Sequence, residues 1–201
     1  GYARQDKRFN EGEPLSARAI ARVLSTGVSR VLTVNIHDRA VLSHFRVPAH
    51  DASLAGEIGR YLEKSAFSSP LVLAPDEGAA AFAGQVATVY GWETDHLEKT
   101  RISGNEVRMA PRNLEAKGRD VVIVDDIIST GGTLATAAAM LKEQGARSVS
   151  SVCVHGVLAE GAYARLLSGG VREVACSDTL ERACSRYSAA GAVVDGIEGC
   201  W

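Results

Sequence analysis

The chain has 201 residues, 22 Lys and Arg against 24 Asp and Glu, a formal charge of −2, and 46% hydrophobic residues. That balance describes a folded globular chain and excludes a disordered one. It also argues against a nucleic-acid or membrane-surface protein, since no basic run is present and no apolar stretch has the length of a membrane span. The length fits one large α/β domain, or one domain with part of another. No charged-then-apolar leader opens the chain, so a cytoplasmic location is expected. Cys153, Cys176, Cys184 and Cys200 form no C-x-x-C pair, and free thiols are expected rather than a zinc site or a disulfide framework. The chain opens Gly1-Tyr2-Ala3-Arg4-Gln5-Asp6 without a Met, as a fragment would.

Helix and strand signals alternate along the chain. Residues 16–26 read as a helix, with Ser16 as N-cap and Ala19, Ile20, Val23 and Leu24 on one face. Arg30 to Ile36 is strand-like and ends at His37-Asp38. Leu54, Ile58 and Leu62 recur every four residues, the mark of a second amphipathic helix. A short strand, Leu71 to Ala74, closes at Pro75-Asp76-Glu77-Gly78 and precedes a helix over 79–90. A strand near 93–97 leads into Glu98-Lys99-Thr100-Arg101. Val121 to Val124 is a continuous apolar run, expected of a strand covered on both faces of a parallel sheet. A helix over 133–144 follows, stopped by Gly145. A strand over 148–154, a helix near 160–168 and short strands near 172–176 and 192–195 complete the pattern. Right-handed β-α-β crossovers then favour a mainly parallel sheet flanked by helices.

Ligands bind at the carboxyl ends of strands in such sheets, and His37, Asp76, Lys99 with Arg101, and Asp125 to Thr133 all fall there. The last segment, Asp125-Asp126-Ile127-Ile128-Ser129-Thr130-Gly131-Gly132-Thr133, is the most informative. Ser129, Thr130 and Thr133 supply hydroxyls, and Gly131 and Gly132 let backbone N–H groups turn inward. The following helix aims its positive end at the same point, which makes a cradle for a phosphate monoester. Two carboxylates beside such a cradle need another partner, and the vicinal hydroxyls of a pentose fit. The pattern is neither a Walker loop nor a dinucleotide loop. On residue type alone, Lys99 and Arg101 would be an exposed basic pair, His37 a capping or core residue, and Arg4-Gln5 a solvated loop. His44, His50 and His96 read as structural or surface residues, and His155 stays open.

Asp125 to Thr133 resembles the ribose-5-phosphate/PRPP-binding motif of type I phosphoribosyltransferase folds. Together with Tyr2 to Arg8, the strand end at His37, and Leu97-Glu98-Lys99-Thr100-Arg101, it makes the chain similar to the ribose-phosphate pyrophosphokinase (PRPP synthetase) family, in its archaeal branch. The resemblance implies attack of the ribose 5-phosphate 1-hydroxyl on the β-phosphorus of ATP, giving PRPP and AMP. It places Lys99 and Arg101 on a mobile catalytic loop, Lys99 stabilising transition-state charge and Arg101 contacting phosphate or ribose phosphate. Asp125, Asp126, Ser129, Thr130, Gly131, Gly132 and Thr133 would bind ribose 5-phosphate, Arg4 and Gln5 would bind ATP, and His37 and Asp76 would help hold Mg²⁺. A homo-oligomer is implied as well.

Family members carry a sizeable stretch ahead of the Tyr2-Ala3-Arg4-Gln5 segment. Residues 1–48 are therefore expected to be the remnant of a first domain, residues 49–201 a complete second one, and the chain alone to be impaired. Two rival functions remain: a PRPP-consuming phosphoribosyltransferase, which shares the Asp125–Thr133 motif, and a non-catalytic regulatory subunit of PRPP synthetase.

Overall fold

The structure, a computed structural model, describes residues 4–8, 10–65, 67, 69–101 and 107–200, with the side chains of 99–101, 107, 108 and 200 outside that description. The chain divides into two compact units, Gly1–Leu54 with Ala189–Trp201, and Ala55–Ser188.

In the first unit, helix α1 (Ser16–Leu24) precedes strands β1 (Val31–Val34) and β2 (Ala49–Ala52), which pair in parallel from Val31↔Ala49 to Val34↔Ala52. The expected cap at Ser16 is displaced by one residue: Leu15 is the extended residue before the helix, and no side chain caps it. The buried face also differs from the expected one. Ala17 and Ala21 pack with Val41, Ile36 and Phe45, whereas Ile20, Val23 and Leu24 are 39%, 68% and 55% exposed. The connection leaving β1 is fixed by side chains. Asn35, in the left-handed region at φ 43° that asparagine tolerates, accepts the Leu54 N–H at 2.6 Å, and Asp51 accepts the Thr33 hydroxyl at 2.6 Å and the Ile36 N–H at 2.9 Å.

Residues 192–195, expected as a strand, lie instead in the C-terminal helix Ala190–Cys200, which packs on β1 and β2. Gly196 explains the close approach, because a Cβ there would stand 3.1 Å from both methyl carbons of Leu32. This helix belongs to the same compact unit as the N-terminal segment.

The second unit contains α2 (Ala55–Lys64), β3 (Leu71–Ala74), α3 (Ala80–Thr88), β4 (Thr94–Arg101), β5 (Val107–Pro111), β6 (Asp120–Ile128), α4 (Gly132–Glu143), β7 (Ser148–Gly156), α5 (Ala162–Ser168), β8 (Val174–Ser177) and β9 (Ser185–Tyr187). The C-terminal helix of the first unit is α6. The seven strands lie in the order β5-β4-β3-β6-β7-β8-β9, parallel throughout except for β4 against β5. Leu71 to Ala74 and Val121 to Val124 are fully buried, as uninterrupted apolar runs in a two-sided sheet require.

Two features exceed the sequence reading. Strand β6 runs four residues past Val124, so Asp125 and Asp126 lie within it. Strand β4 continues to Arg101 and pairs with β5, from Leu97↔Pro111 to Arg101↔Val107. Helix α4 stops as expected. Gly145 sits at φ 91°, its N–H reaches Lys142 O at 3.0 Å, and that of Ala146 reaches Leu141 O at 3.0 Å, the paired bonds of a left-handed glycine cap.

Candidate active site

Strand order locates the site. From β3 the chain crosses to β4 on one side, while β6 pairs with β3 on the other. The carboxyl ends of β3 and β6 thus flank a topological switch point, where open α/β sheets bind ligands. Asp76 follows β3 after a single proline. It is exposed, and its Oδ1 accepts the Ala79 N–H at 3.2 Å, starting a 3-10 turn over Glu77–Ala79. Asp125 and Asp126 sit near the end of β6, with Asp125 opposite Cys153 of β7.

Between β6 and α4 the chain turns through Ser129, Thr130 and Gly131. Gly131 is the residue before the helix, at φ 70°, and the first helical bond runs from Ala135 N to Gly131 O at 2.9 Å. The N–H groups of Gly132, Thr133 and Leu134 therefore precede any intrahelical acceptor, and no side chain among the described residues caps them. A Cβ on Gly131 would meet Leu166 Cγ at 3.2 Å, whereas one on Gly132 would meet nothing within 4 Å. The second glycine leaves open space above the helix end, which is the property of a cradle rather than of a packed turn.

Burial, then the adjoining Asp126 carboxylate and, more weakly, Asp76, push the Asp125 carboxyl well above the ordinary carboxylate range. The Asp126 N–H at 2.9 Å from Oδ1 opposes this only in part. A buried carboxyl whose charge its surroundings disfavour calls for hydroxyl donors or a cation beside it. Among the described residues, no group of three or more His, Cys, Asp or Glu forms a ready metal cage. The donors are nonetheless carboxylate oxygens, the type Mg²⁺ prefers, and that ion commonly uses one or two of them and completes its shell with water and substrate oxygens.

Residues 49–187 match the phosphoribosyl transferase domain. The ribose-phosphate pyrophosphokinase of Methanosarcina mazei is 47% identical over 199 residues, covering 99% of this chain and 67% of that protein. That of Methanopyrus kandleri is 43% identical, covering 98% and 68%. The crystal structure of phosphoribosylpyrophosphate synthetase from Mycobacterium smegmatis superposes with a TM-score of 0.83 at 31% identity, over 99% of this chain and 68% of that one. The chain belongs to the ribose-phosphate pyrophosphokinase family.

The other residues that the resemblance to this family singles out lie on other elements. Lys99 and Arg101 stand in the β4–β5 hairpin, their backbones opposite Met109 and Val107, and their side chains lie outside the described set. Asp95 anchors the hairpin's base. Burial raises its pKa, but N–H groups of Asn113 (2.6 Å), His96 (2.9 Å) and Leu114 (2.9 Å) outweigh this and keep it ionised below the usual range. In the first unit, Arg4 and Gln5 are exposed, and Gln5 O accepts the Ala17 N–H at 3.1 Å. His37 is exposed in the connection after β1. Tyr2 and Ala3 lie outside the described residues. Cys153, Cys176 and Cys184 are free and buried. His155 is the penultimate residue of β7, with Nδ1 2.9 Å from Thr179 Oγ1.

Sequence reasoning missed two contributors to the cradle. Arg165 of α5 donates to the Thr130 carbonyl, and the Leu158 and Ala159 N–H groups bind the carbonyls of Ile128 and Ser129. Nothing in an exposed arginine on an amphipathic helix marks such a bond. A left-handed leucine, at φ 48°, carries no sequence signal either.

Proposed function

We propose that this chain transfers the pyrophosphoryl group of ATP to the 1-hydroxyl of ribose 5-phosphate. The hydroxyl loses its proton to solvent as its oxygen bonds to the β-phosphorus; the bond broken joins that phosphorus to the oxygen bridging to the α-phosphorus, which leaves on AMP. The observation that carries this reading is the cradle at the sheet's switch point, with a carboxylate pair beside an uncapped helix start, in a chain of this family. Phosphoryl transfer depends chiefly on placement and charge neutralisation, which open N–H groups and cations supply.

In this reading the N–H groups at the start of α4, with Ser129, Thr130 and Thr133, hold the 5-phosphate. Asp125 and Asp126 accept hydrogen bonds from the ribose hydroxyls. Lys99 and Arg101 neutralise the transferred phosphates, and Arg4 and Gln5 contact ATP. Asp76, and separately His37, contribute to Mg²⁺ binding; bound there, the ion would neutralise phosphate charge. A homo-oligomer in the cytoplasm is proposed on the family's pattern, and no nucleic-acid or membrane partner is invoked. Among the described residues no helix is long and apolar enough to cross a membrane.

The test is AMP formation from ATP that depends strictly on ribose 5-phosphate. PRPP- and base-dependent release of pyrophosphate, without ATP consumption, would replace this reading by that of a PRPP-consuming transferase. Substrate binding without turnover, together with activation of a separate catalytic subunit, would replace it by a regulatory role.

A further inference from the structure

The carbonyl groups of the loop joining β6 to α4 are all engaged. Ile128 O accepts the Leu158 N–H at 2.9 Å, Ser129 O accepts that of Ala159 at 3.1 Å, and Gly131 O accepts that of Ala135 at 2.9 Å. The fourth, Thr130 O, is held by a side chain instead: Arg165 Nη1 donates to it, while Nη2 donates to Glu160 O at 3.2 Å. Three of the four bonds therefore come from residues 158–165. That segment is bent for the purpose, with Leu158 at φ 48° and Glu160 at φ 54°, left-handed conformations that such side chains avoid. Strain of this kind persists only where surrounding contacts enforce it.

A trans peptide points its carbonyl and its N–H in opposite directions. With Thr130 O fixed on the α5 side, the Gly131 N–H points the other way and joins the donors that open α4. Gly131 itself does not enforce this orientation, because glycine adopts either sign of φ at little cost. A flip of the Thr130–Gly131 peptide would put a carbonyl oxygen where an anion needs a donor. We propose that Arg165 is the positioning residue that prevents this flip and so presets the cradle for an anion. Leu166, its neighbour on α5, closes on Gly131 from the apolar side, within 3.2 Å of where a Cβ would stand. One turn of α5 thus grips the loop with a guanidinium and an isobutyl group. The guanidinium spends both terminal nitrogens on backbone carbonyls, which is the bonding of a brace.

The inference rests on reading this loop as the ribose-phosphate cradle, and its test separates the two. The full chain, labelled with ¹⁵N, is titrated with inorganic phosphate, and ribose 5-phosphate affinity is measured by calorimetry. Arg165→Met keeps the apolar stem and loses the donors; Arg165→Lys restores one. In the Met variant the Gly131 amide resonance should move before any ligand is added, and affinity for both ligands should fall about tenfold, the order expected for loss of a charge-assisted hydrogen bond. The Lys variant should recover part of that loss. Wild-type phosphate and ribose 5-phosphate affinity in Arg165→Met would overturn the proposal. Should that variant fail to fold, Arg165→Gln, too short to span both carbonyls, carries the same two expectations. If the unaltered chain binds phosphate at the Gly131 to Leu134 amides but ignores ribose 5-phosphate, the substrate reading fails and the phosphate comparison still decides the role of Arg165. If phosphate leaves those amides unmoved, both fall.

Discussion

Gly169, at the end of α5, permits a close contact with α4 beside the cradle, and replacing it with alanine tests how that contact positions α4. A Cβ at this position would stand 2.8 Å from Ala135 O, 2.9 Å from Ala135 Cβ and 3.0 Å from Ala135 Cα. All three atoms belong to α4 or are bonded to its backbone, so no flexible side chain can yield and the helices must part by several tenths of an ångström. The backbone of Gly169 is itself ordinary, at φ −76°, so the effect is steric rather than conformational. Overpacking of this kind costs about 1–3 kcal/mol, offset by roughly 0.4–1 kcal/mol from the less flexible unfolded chain. The expected net loss is about 1–2 kcal/mol in urea unfolding of Gly169→Ala. Because α4 begins at Gly132, ribose 5-phosphate affinity should fall as well. Gly84→Ala is the control. That glycine lies inside α3 with nothing within 4 Å of its would-be Cβ, and the same methyl should stabilise by about 0.5–1 kcal/mol. Equal shifts of one sign in both variants, or wild-type stability in Gly169→Ala, would refute the reasoning.

Three further outcomes are expected. Arg147, with Ser148 Oγ 2.6 Å away assisting, holds the Asp120 carboxyl down at about 2, below its ordinary 3.8. A depressed carboxylate stabilises the fold above its unfolded pKa and loses that contribution as pH falls through the folded value. Between about pH 5 and pH 2 the chain should therefore lose about 1 kcal/mol that Asp120→Asn does not, a figure reduced for the solvent exposure of Arg147. Gly131→Ala combines a left-handed φ with a 3.2 Å approach to Leu166, so calorimetry should find weaker ribose 5-phosphate binding and urea unfolding a loss of about 1–2 kcal/mol. Ser151 Oγ is fully buried and has no hydrogen-bond partner among the described residues, so Ser151→Ala should leave stability unchanged or raise it by up to about 1 kcal/mol; a marked loss would reveal a partner such as a buried water.

Where burial and period coincide, the sequence is a good guide. Val121 to Val124 and Leu71 to Ala74 are apolar because both sheet faces cover them, and Leu54, Ile58 and Leu62 keep a four-residue spacing because one side is dry. The turn and helix start within Asp125 to Thr133 could be read because their signal is local: two adjacent glycines mark the point where the helix begins. What eluded reading depends on distant partners. Ala49–Ala52 has no strand signature and is a strand only because β1 pairs with it. Val193 and Val194 favour strands in isolation, yet the approach of Gly196 to Leu32 sets them in a helix. Arg165 braces a loop 35 residues earlier in the chain, a relation no local pattern encodes.

The return of α6 to β1 and β2 has a consequence for biosynthesis. A ribosome delivers residues 190–200 after every residue of the Ala55–Ser188 unit. The unit that carries the cradle can therefore finish folding while the first sheet still waits for its covering helix. Domains tend to fold as units during synthesis. Here the order of completion runs against the order of translation, and the β1–β2 sheet keeps an uncovered face until α6 has emerged.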